Sequence, residues 1–290
     1  MDVLRIAAFS DGDTGGNPAG VVIGDTLPEA ARMQQIAADV GFSETAFAAP
    51  TNVAPAEDQA AAGGWRVRYF SPESEVPFCG HATIALGAAL AAQQGDGVFA
   101  LTLNNAAITV EGRRQGQMFA AALQSPPTRS KAVDPQVLAT ALSLFGYAAD
   151  DLDPRLPPAL AHGGADHLVL ALRSRDLLSR MAYELPAGRS FMREAGLVTV
   201  ALAYAETAQL FHARNPFASG GVYEDPATGA ATAALAGYLR DLGWQHNGVI
   251  DIIQGEDMGM RSRLRAEIPQ QIGSSIRVSG TARWMHGGPA

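Results

Sequence analysis

Glu44 lies within Gly41-Phe-Ser-Glu-Thr-Ala-Phe47, among mostly apolar neighbours. A carboxyl group desolvated in such surroundings can hold and release a proton near neutral pH, which is the chemistry of a general acid or base. A glutamate on an edge strand, turned to water, would have the same sequence. His81 and Asp225 stand beside two predicted helix starts, at Gly80 and Gly229. Both are candidate partners for Glu44, although an acid before a helix is also an ordinary cap and a histidine an ordinary hydrogen-bonding residue. Cys79 directly precedes Gly80, where a helix N-terminus favours thiolate. The plainer reading of a lone cysteine is a small buried apolar side chain.

The two helix starts belong to an internal repeat. Glu75-Val-Pro-Phe-Cys-Gly-His-Ala-Thr-Ile-Ala-Leu86 matches Glu224-Asp-Pro-Ala-Thr-Gly-Ala-Ala-Thr-Ala-Ala-Leu235, with Glu, Pro, Gly, Thr, Ala and Leu at the same offsets. A motif shared at half-chain spacing predicts two similar domains, each with an Ala-rich helix buried by small side chains. Backbone N–H groups at a helix start lack internal partners and the dipole there is positive, so such an end binds carboxylate or phosphate. Two such ends facing a cleft between domains would hold a small anionic substrate. Glycines that merely allow close helix–sheet packing are the competing explanation. Thr228 stands where a second cysteine would have to match Cys79, which excludes a two-thiol racemase mechanism.

Dinucleotide, P-loop, H-E-x-x-H and G-x-S-x-G signatures are all missing. His162 and His167 are separated by Gly-Gly-Ala-Asp, a spacing with no metal-ligand logic, and structural or surface roles are expected for both. Any chemistry would fall to side-chain acids and bases.

The elements that must position these residues follow from pattern. Leu4–Phe9 reads as a strand, followed by a glycine-rich turn over Asp11–Gly20 and a short strand at Val21–Ile23. Pro28–Val40 reads as a helix that starts at Pro28 and stops at Gly41. Strands are expected at Phe42–Ala49 and Trp65–Phe70, with a solvated loop over Pro50–Gly64 between them. Linker chemistry in Ser125-Pro-Pro-Thr-Arg-Ser-Lys131 marks a domain boundary. Asp134 then caps a helix that has Pro135 in its first turn and Gly146 beyond its end. Leu168–Leu172, Leu197–Ala203 and Val249–Ile253 are strand candidates, with helical stretches near Arg175–Tyr183 and Ala230–Leu239. Mixed strands and helices in two halves indicate an α+β fold rather than an open βαβ array.

Composition narrows the class. The chain has 290 residues, 47% hydrophobic and 17% charged, enough to bury a sizeable core and unlike a disordered chain. Its 21 basic and 29 acidic residues give a net charge of −8 without basic clusters, so no nucleic-acid partner is expected. One cysteine permits neither an internal disulfide nor a cysteine-based zinc site. No apolar run reaches membrane-spanning length, and the first residues lack a signal peptide's basic head and apolar stretch. A cytoplasmic protein without membrane partners is expected.

Gly16-Asn-Pro-Ala-Gly20, Phe42-Ser-Glu-Thr-Ala-Phe47, Glu75-Val-Pro-Phe-Cys-Gly-His-Ala-Thr83 and Gly221-Val-Tyr-Glu-Asp-Pro-Ala-Thr-Gly229 together resemble the PhzF, phenazine-biosynthesis-like, isomerase family. Gln254-Gly255 with Met258-Gly259 resembles its late motif. The resemblance implies a diaminopimelate-epimerase-like fold: two similar domains, each a curled sheet or barrel around a central helix, with the site in the cleft between. The first domain would cover 1–124, completed by a C-terminal strand over 278–290, and the second 125–277. A homodimer and proton transfer without cofactor or metal are implied as well.

The family's best-known activity is isomerisation of trans-2,3-dihydro-3-hydroxyanthranilate, in which a glutamate moves a proton between ring carbons. Glu44 matches that glutamate. The resemblance makes His81 and Asp225 its catalytic companions and Asn17, Ser43, Gly80, Thr228 and Gly229 substrate-binding residues. Cys79 takes a packing position. Where the phenazine enzyme reads Thr-Gly-Ser, this chain reads Thr228-Gly229-Ala230, one hydroxyl fewer, which bears on the substrate rather than on the reaction class. The expected function is an isomerase acting on a small carboxylate-bearing metabolite. An epimerase or racemase of an amino-acid-like substrate, or a non-catalytic metabolite-binding protein that kept the fold, are the alternatives.

Overall fold

The computed structural model describes residues 2–51 and 64–285. The chain divides into two compact units, Met1–Gln124 with Ser279–Ala290, and Ser125–Val278.

In the first unit, β1 (Leu4–Ser10) turns back through a bridge between Asp11 and Thr14 into antiparallel β2 (Asn17–Ile23). Helix α1 (Ala30–Val40) buries Met33, Ile36 and Ala37, ends at Gly41 with φ 72°, and delivers the chain to β3 (Thr45–Thr51), parallel to β2. β3 pairs antiparallel with β4 (Gly64–Phe70), which pairs with the two-residue β5 (Glu75–Val76). Helix α2 (Gly80–Gln94) follows, then β6 (Gly97–Thr102), parallel to β4, and the antiparallel β7 (Ala107–Gln115) and β8 (Met118–Gln124). Every residue of α2 from His81 to Ala91 is buried. A helix apolar all round belongs inside a core, and α2 packs on β1, β2, β7 and β8. Its small residues are needed there, since a Cβ at Gly87 would stand 2.5 Å from Val110 Cγ2.

The second unit repeats this order. β9 (Arg129–Ala132) precedes α3 (Pro135–Phe145), whose cap Asp134 accepts a hydrogen bond from Gln136 N at 2.8 Å. β10 (Ala159–His162) and β11 (Asp166–Ala171) form a hairpin. Helices α4 (Arg175–Ser179) and α5 (Leu185–Glu194) carry the chain across to β12 (Thr199–Ala205), parallel to β11. β13 (Leu210–Phe217) pairs antiparallel with β12 and with β14 (Val222–Asp225). Helix α6 (Gly229–Leu242) follows, then β15 (Val249–Gln254), parallel to β13, and β16 (Ser262–Glu267). Helix α6 is buried like α2 and lies against β9, β10 and β16. The succession β4–β5–α2–β6–β7 thus has the same pairings as β13–β14–α6–β15–β16.

The last strand, β17 (Arg277–Trp284), pairs antiparallel with β1 and also with β8. The strands of the first unit therefore close into a ring around α2. The architecture is α+β, as the mixed strands and helices indicated, and each unit contains one of the two buried Ala-rich helices, α2 and α6, expected from the repeat.

Several boundaries differ from the sequence reading. Helix α1 starts at Ala30, so Pro28 precedes its cap Glu29 rather than occupying the first turn. β2 begins at Asn17, four residues before its predicted start, because the Gly15-Gly16 bend (φ 59° and 85°) completes the turn early. β3 begins at Thr45, which places Glu44 just before the strand instead of within it. The Arg175–Tyr183 stretch is helical only to Ser179. The segment read as linker contains β9. Of the loop predicted over Pro50–Gly64, residues 52–63 lie outside the described residues.

Candidate active site

Glu44 is fixed from its backbone outward. Its carbonyl accepts a hydrogen bond from Gly20 N at 3.1 Å, and a Cβ at Gly20 would stand 2.6 Å from Thr45 Oγ1. Only glycine on β2 lets the start of β3 approach so closely. The side chain then projects to His81, with Glu44 Oε2 3.4 Å from His81 Nε2, and is 14% exposed. Ser43 Oγ lies 3.3 Å from the same nitrogen.

His81 is the second residue of α2 and is buried. Cys79, also buried, is the residue that caps the helix, yet its side chain makes no cap hydrogen bond. Its sulfur instead lies 3.3 Å from His81 Nδ1. The first turn is anchored from below. Thr83 Oγ1 donates to Cys79 O at 2.7 Å, so Tyr69 must donate its hydroxyl proton to Thr83 Oγ1, also at 2.7 Å. Burial pushes the Tyr69 hydroxyl pKa up, which keeps it a neutral donor.

The second unit builds the equivalent position with other residues. Asp225 ends β14, and its Oδ2 accepts from Thr228 Oγ1 at 2.5 Å. Thr228 caps α6 and Gly229 is its first residue. Gln254, fully buried at the end of β15, locks both: Nε2 donates to Asp225 O at 2.7 Å and to Thr228 Oγ1 at 3.0 Å, and Oε1 accepts from Thr228 N at 3.2 Å.

One ion pair precedes each helix. Arg68 forks onto Glu75 at 2.7 and 2.6 Å and holds that carboxyl below the usual carboxylate range. Arg214 forks onto Glu224 at 3.0 and 2.6 Å.

Of the predicted site residues, Asn17, Ser43, Glu44, Gly80 and His81 belong to the first unit, and Asp225, Thr228 and Gly229 to the second. Ser43, Glu44 and His81 come together at one helix start, and Asp225, Thr228 and Gly229 at the other. Asn17, buried, opens β2 opposite Ala8. The sequence reading missed the contact of Cys79 with His81, although adjacency to a helix start was its available signal. It also gave Gln254 no role beyond a motif match. His162 and His167 stand apart from both positions: His162 pairs with Asp166 at 2.6 Å, and His167 is buried on β11. Glu44, Cys79 and His81 are the one group of His, Cys, Asp or Glu among the described residues close enough to hold a metal ion.

No helix of the described residues is long and apolar enough to cross a membrane. The chain is 30% identical over 280 residues to the trans-2,3-dihydro-3-hydroxyanthranilate isomerase of Pseudomonas aeruginosa, covering 95% of this chain and 94% of that protein. It is 29% identical over 295 residues to an uncharacterized isomerase of Mesorhizobium japonicum, covering 96% and 95%. The crystal structure of the Bacillus anthracis phenazine biosynthesis protein of the PhzF family shares the fold, with a TM-score of 0.82 and 22% identity over 98% of this chain and 97% of that one. Residues 6–288 match the phenazine biosynthesis-like protein family, PhzC-PhzF. The match spans both units and both helix starts, and the chain belongs to this family, a family of isomerases.

Proposed function

We propose that the chain is a cofactor-independent isomerase that moves a proton between carbons of a small carboxylate-bearing metabolite, with Glu44 as general acid and base. The observation that carries this reading is the Glu44 carboxylate held 3.4 Å from His81 Nε2 at the N-terminus of α2, with most of its surface removed from water. A positioned carboxylate can take a proton from one carbon and return it to another, so that no net proton leaves the site. Exchange of the proton on Glu44 with solvent between the two transfers would carry deuterium into the product in deuterated water. His81 and Ser43 orient the carboxylate and polarise a substrate substituent. The free N–H groups at Gly80 favour an anionic group of the substrate. In the second unit, Asp225, Thr228 and the helix start at Gly229 are the corresponding polar groups for substrate binding. A relative acts on trans-2,3-dihydro-3-hydroxyanthranilate, by its name, and Ala230 leaves this chain without a hydroxyl on the residue after Gly229. The substrate class is therefore proposed as carboxylate-bearing without assigning that compound.

The test is incubation in deuterated water with a metabolite pool that includes trans-2,3-dihydro-3-hydroxyanthranilate, beside the Glu44→Gln variant. Deuterium entering one compound with the wild type and not with the variant is the expected result. Equal labelling by folded Glu44→Gln protein would overturn the role of Glu44.

A further inference from the structure

We propose that Glu44, Cys79 and His81 form a binding site for one thiophilic divalent cation of the zinc class. The three residues offer a carboxylate oxygen, an imidazole nitrogen and a sulfur, and these atoms all lie within 4.8 Å of one another. His81 Nε2 lies 3.4 Å from Glu44 Oε2, and Cys79 Sγ lies 3.3 Å from His81 Nδ1 and 3.9 Å from Nε2. Ligands around a tetrahedral zinc stand roughly 3.3–3.7 Å apart, given metal–ligand lengths of about 2.0–2.3 Å. The Glu44–His81 edge is at that spacing, while the sulfur edge to the same nitrogen is longer than it. Binding of one ion at Nε2 therefore requires the Cys79 side chain to rotate toward that nitrogen and away from Nδ1.

The donor set decides the metal. Sulfur and imidazole favour zinc, copper and cobalt over magnesium or calcium, which prefer oxygen throughout. The position of Cys79 at the cap of a 15-residue helix favours an anionic sulfur. Three protein ligands leave a fourth position for water, the arrangement of an open rather than a closed zinc site. A single cysteine excludes a cysteine-based zinc site. A mixed donor set drawn from two segments, one before β3 and one at the start of α2, escapes that count.

A bound cation would occupy the Glu44 oxygen and His81 nitrogen that the proposed proton transfer uses. That consequence rests on the functional reading above, whereas the binding itself does not. The two therefore fail separately.

The experiment is titration of the purified chain with Co²⁺, read by absorption, followed by Zn²⁺ competition. One equivalent of Co²⁺ is expected to bind, with a thiolate-to-cobalt charge-transfer band in the near ultraviolet and visible bands of a four-coordinate ion. Zn²⁺ should displace it. Cys79→Ser should abolish the charge-transfer band, and Glu44→Gln and His81→Ala should each weaken binding by at least about tenfold. Circular dichroism of each variant establishes that it is folded. Absence of the charge-transfer band in wild type, or binding unchanged in folded Cys79→Ser or Glu44→Gln protein, would overturn the proposal.

Discussion

Arg214 holds Glu224 by two hydrogen bonds, with both side chains almost wholly removed from water. Arg68 holds Glu75 in the same bidentate manner in the first unit, but with 22% and 27% of the two side chains exposed. Arg214 Nη1 also donates to Ser179 O at 2.9 Å, tying α4 to β13. Burial works against the Arg214 charge, and the Glu224 hydrogen bonds together with the nearby charges of Glu224 and Asp257 more than offset it, so its pKa is raised. The same pair thus anchors each helix start at two different depths.

That difference in depth predicts unequal costs. Removing one partner of a buried pair strands a charge, worth about 3–5 kcal/mol, whereas an exposed pair contributes about 0–1 kcal/mol. Arg214→Met should lower the urea unfolding free energy several-fold more than Arg68→Met. Equal losses would show that the second pair is hydrated in solution.

Glu44→Asp discriminates a proton carrier from a mere anion. Retracting the carboxylate by one methylene keeps its charge but moves it from His81 Nε2, 3.4 Å away. Turnover should fall on the order of 10²–10⁴-fold in Glu44→Gln and by less in Glu44→Asp. The thermal midpoint should hardly change in either variant, since the residue is at the surface edge of the core. The measurement is kcat beside a melting curve for each variant.

The repeat was legible because Pro, Gly, Thr and Ala recur at fixed offsets around each helix start, where backbone geometry and tight packing leave little choice of residue. Its extension to Arg68 and Arg214 was not. Arg68 precedes Glu75 by seven residues and Arg214 precedes Glu224 by ten, because the turn Ala218–Gly220 lengthens the second connection. Offsets fail where loops differ, although strand register restores the match: Phe70 faces Glu75 and Pro216 faces Glu224. Strand β8 was missed because Phe119-Ala-Ala-Ala-Leu123 owes its conformation to neighbours in the ring and not to propensity. Helix α5 was missed because it contains Pro186 and Gly188; a Cβ at Gly188 would stand 2.4 Å from the Tyr183 ring. Glu44 was found as a residue, but its strand starts three residues later than expected, at Thr45, so Glu44 stands just before it rather than within it, as boundaries read from pattern often shift by a few residues.

Gln254→Ala should loosen the second helix start. The glutamine satisfies Thr228 N, Thr228 Oγ1 and Asp225 O from a fully buried position. Its loss leaves buried polar groups unpaired at a cost of about 1–3 kcal/mol. If Asp225 and Thr228 bind substrate, KM should rise more than kcat falls. A variant as stable as wild type, with unchanged KM, would argue against this locking role.

His167 predicts how stability responds to acid. Thr199 Oγ1 donates to Asn215 Oδ1 at 3.1 Å, so at 2.7 Å from His167 Nδ1 it must accept the imidazole proton. The other nitrogen, Nε2, is buried with no hydrogen-bond partner. A second proton would put an N–H⁺ there with no acceptor, and burial accordingly lowers the pKa from 6.5 to about 4. The unfolded chain therefore binds a proton that the folded chain refuses between pH 6.5 and about 4. Stability is full above pH 6.5 and falls as pH drops through that window. The contribution of this group is about 2 kcal/mol lost between pH 7 and pH 5, an order-of-magnitude figure from linkage. Urea unfolding at the two pH values should show a smaller difference in His167→Gln than in wild type. An identical difference in both proteins would mean that His167 takes up its proton in the folded state as readily as in the unfolded one.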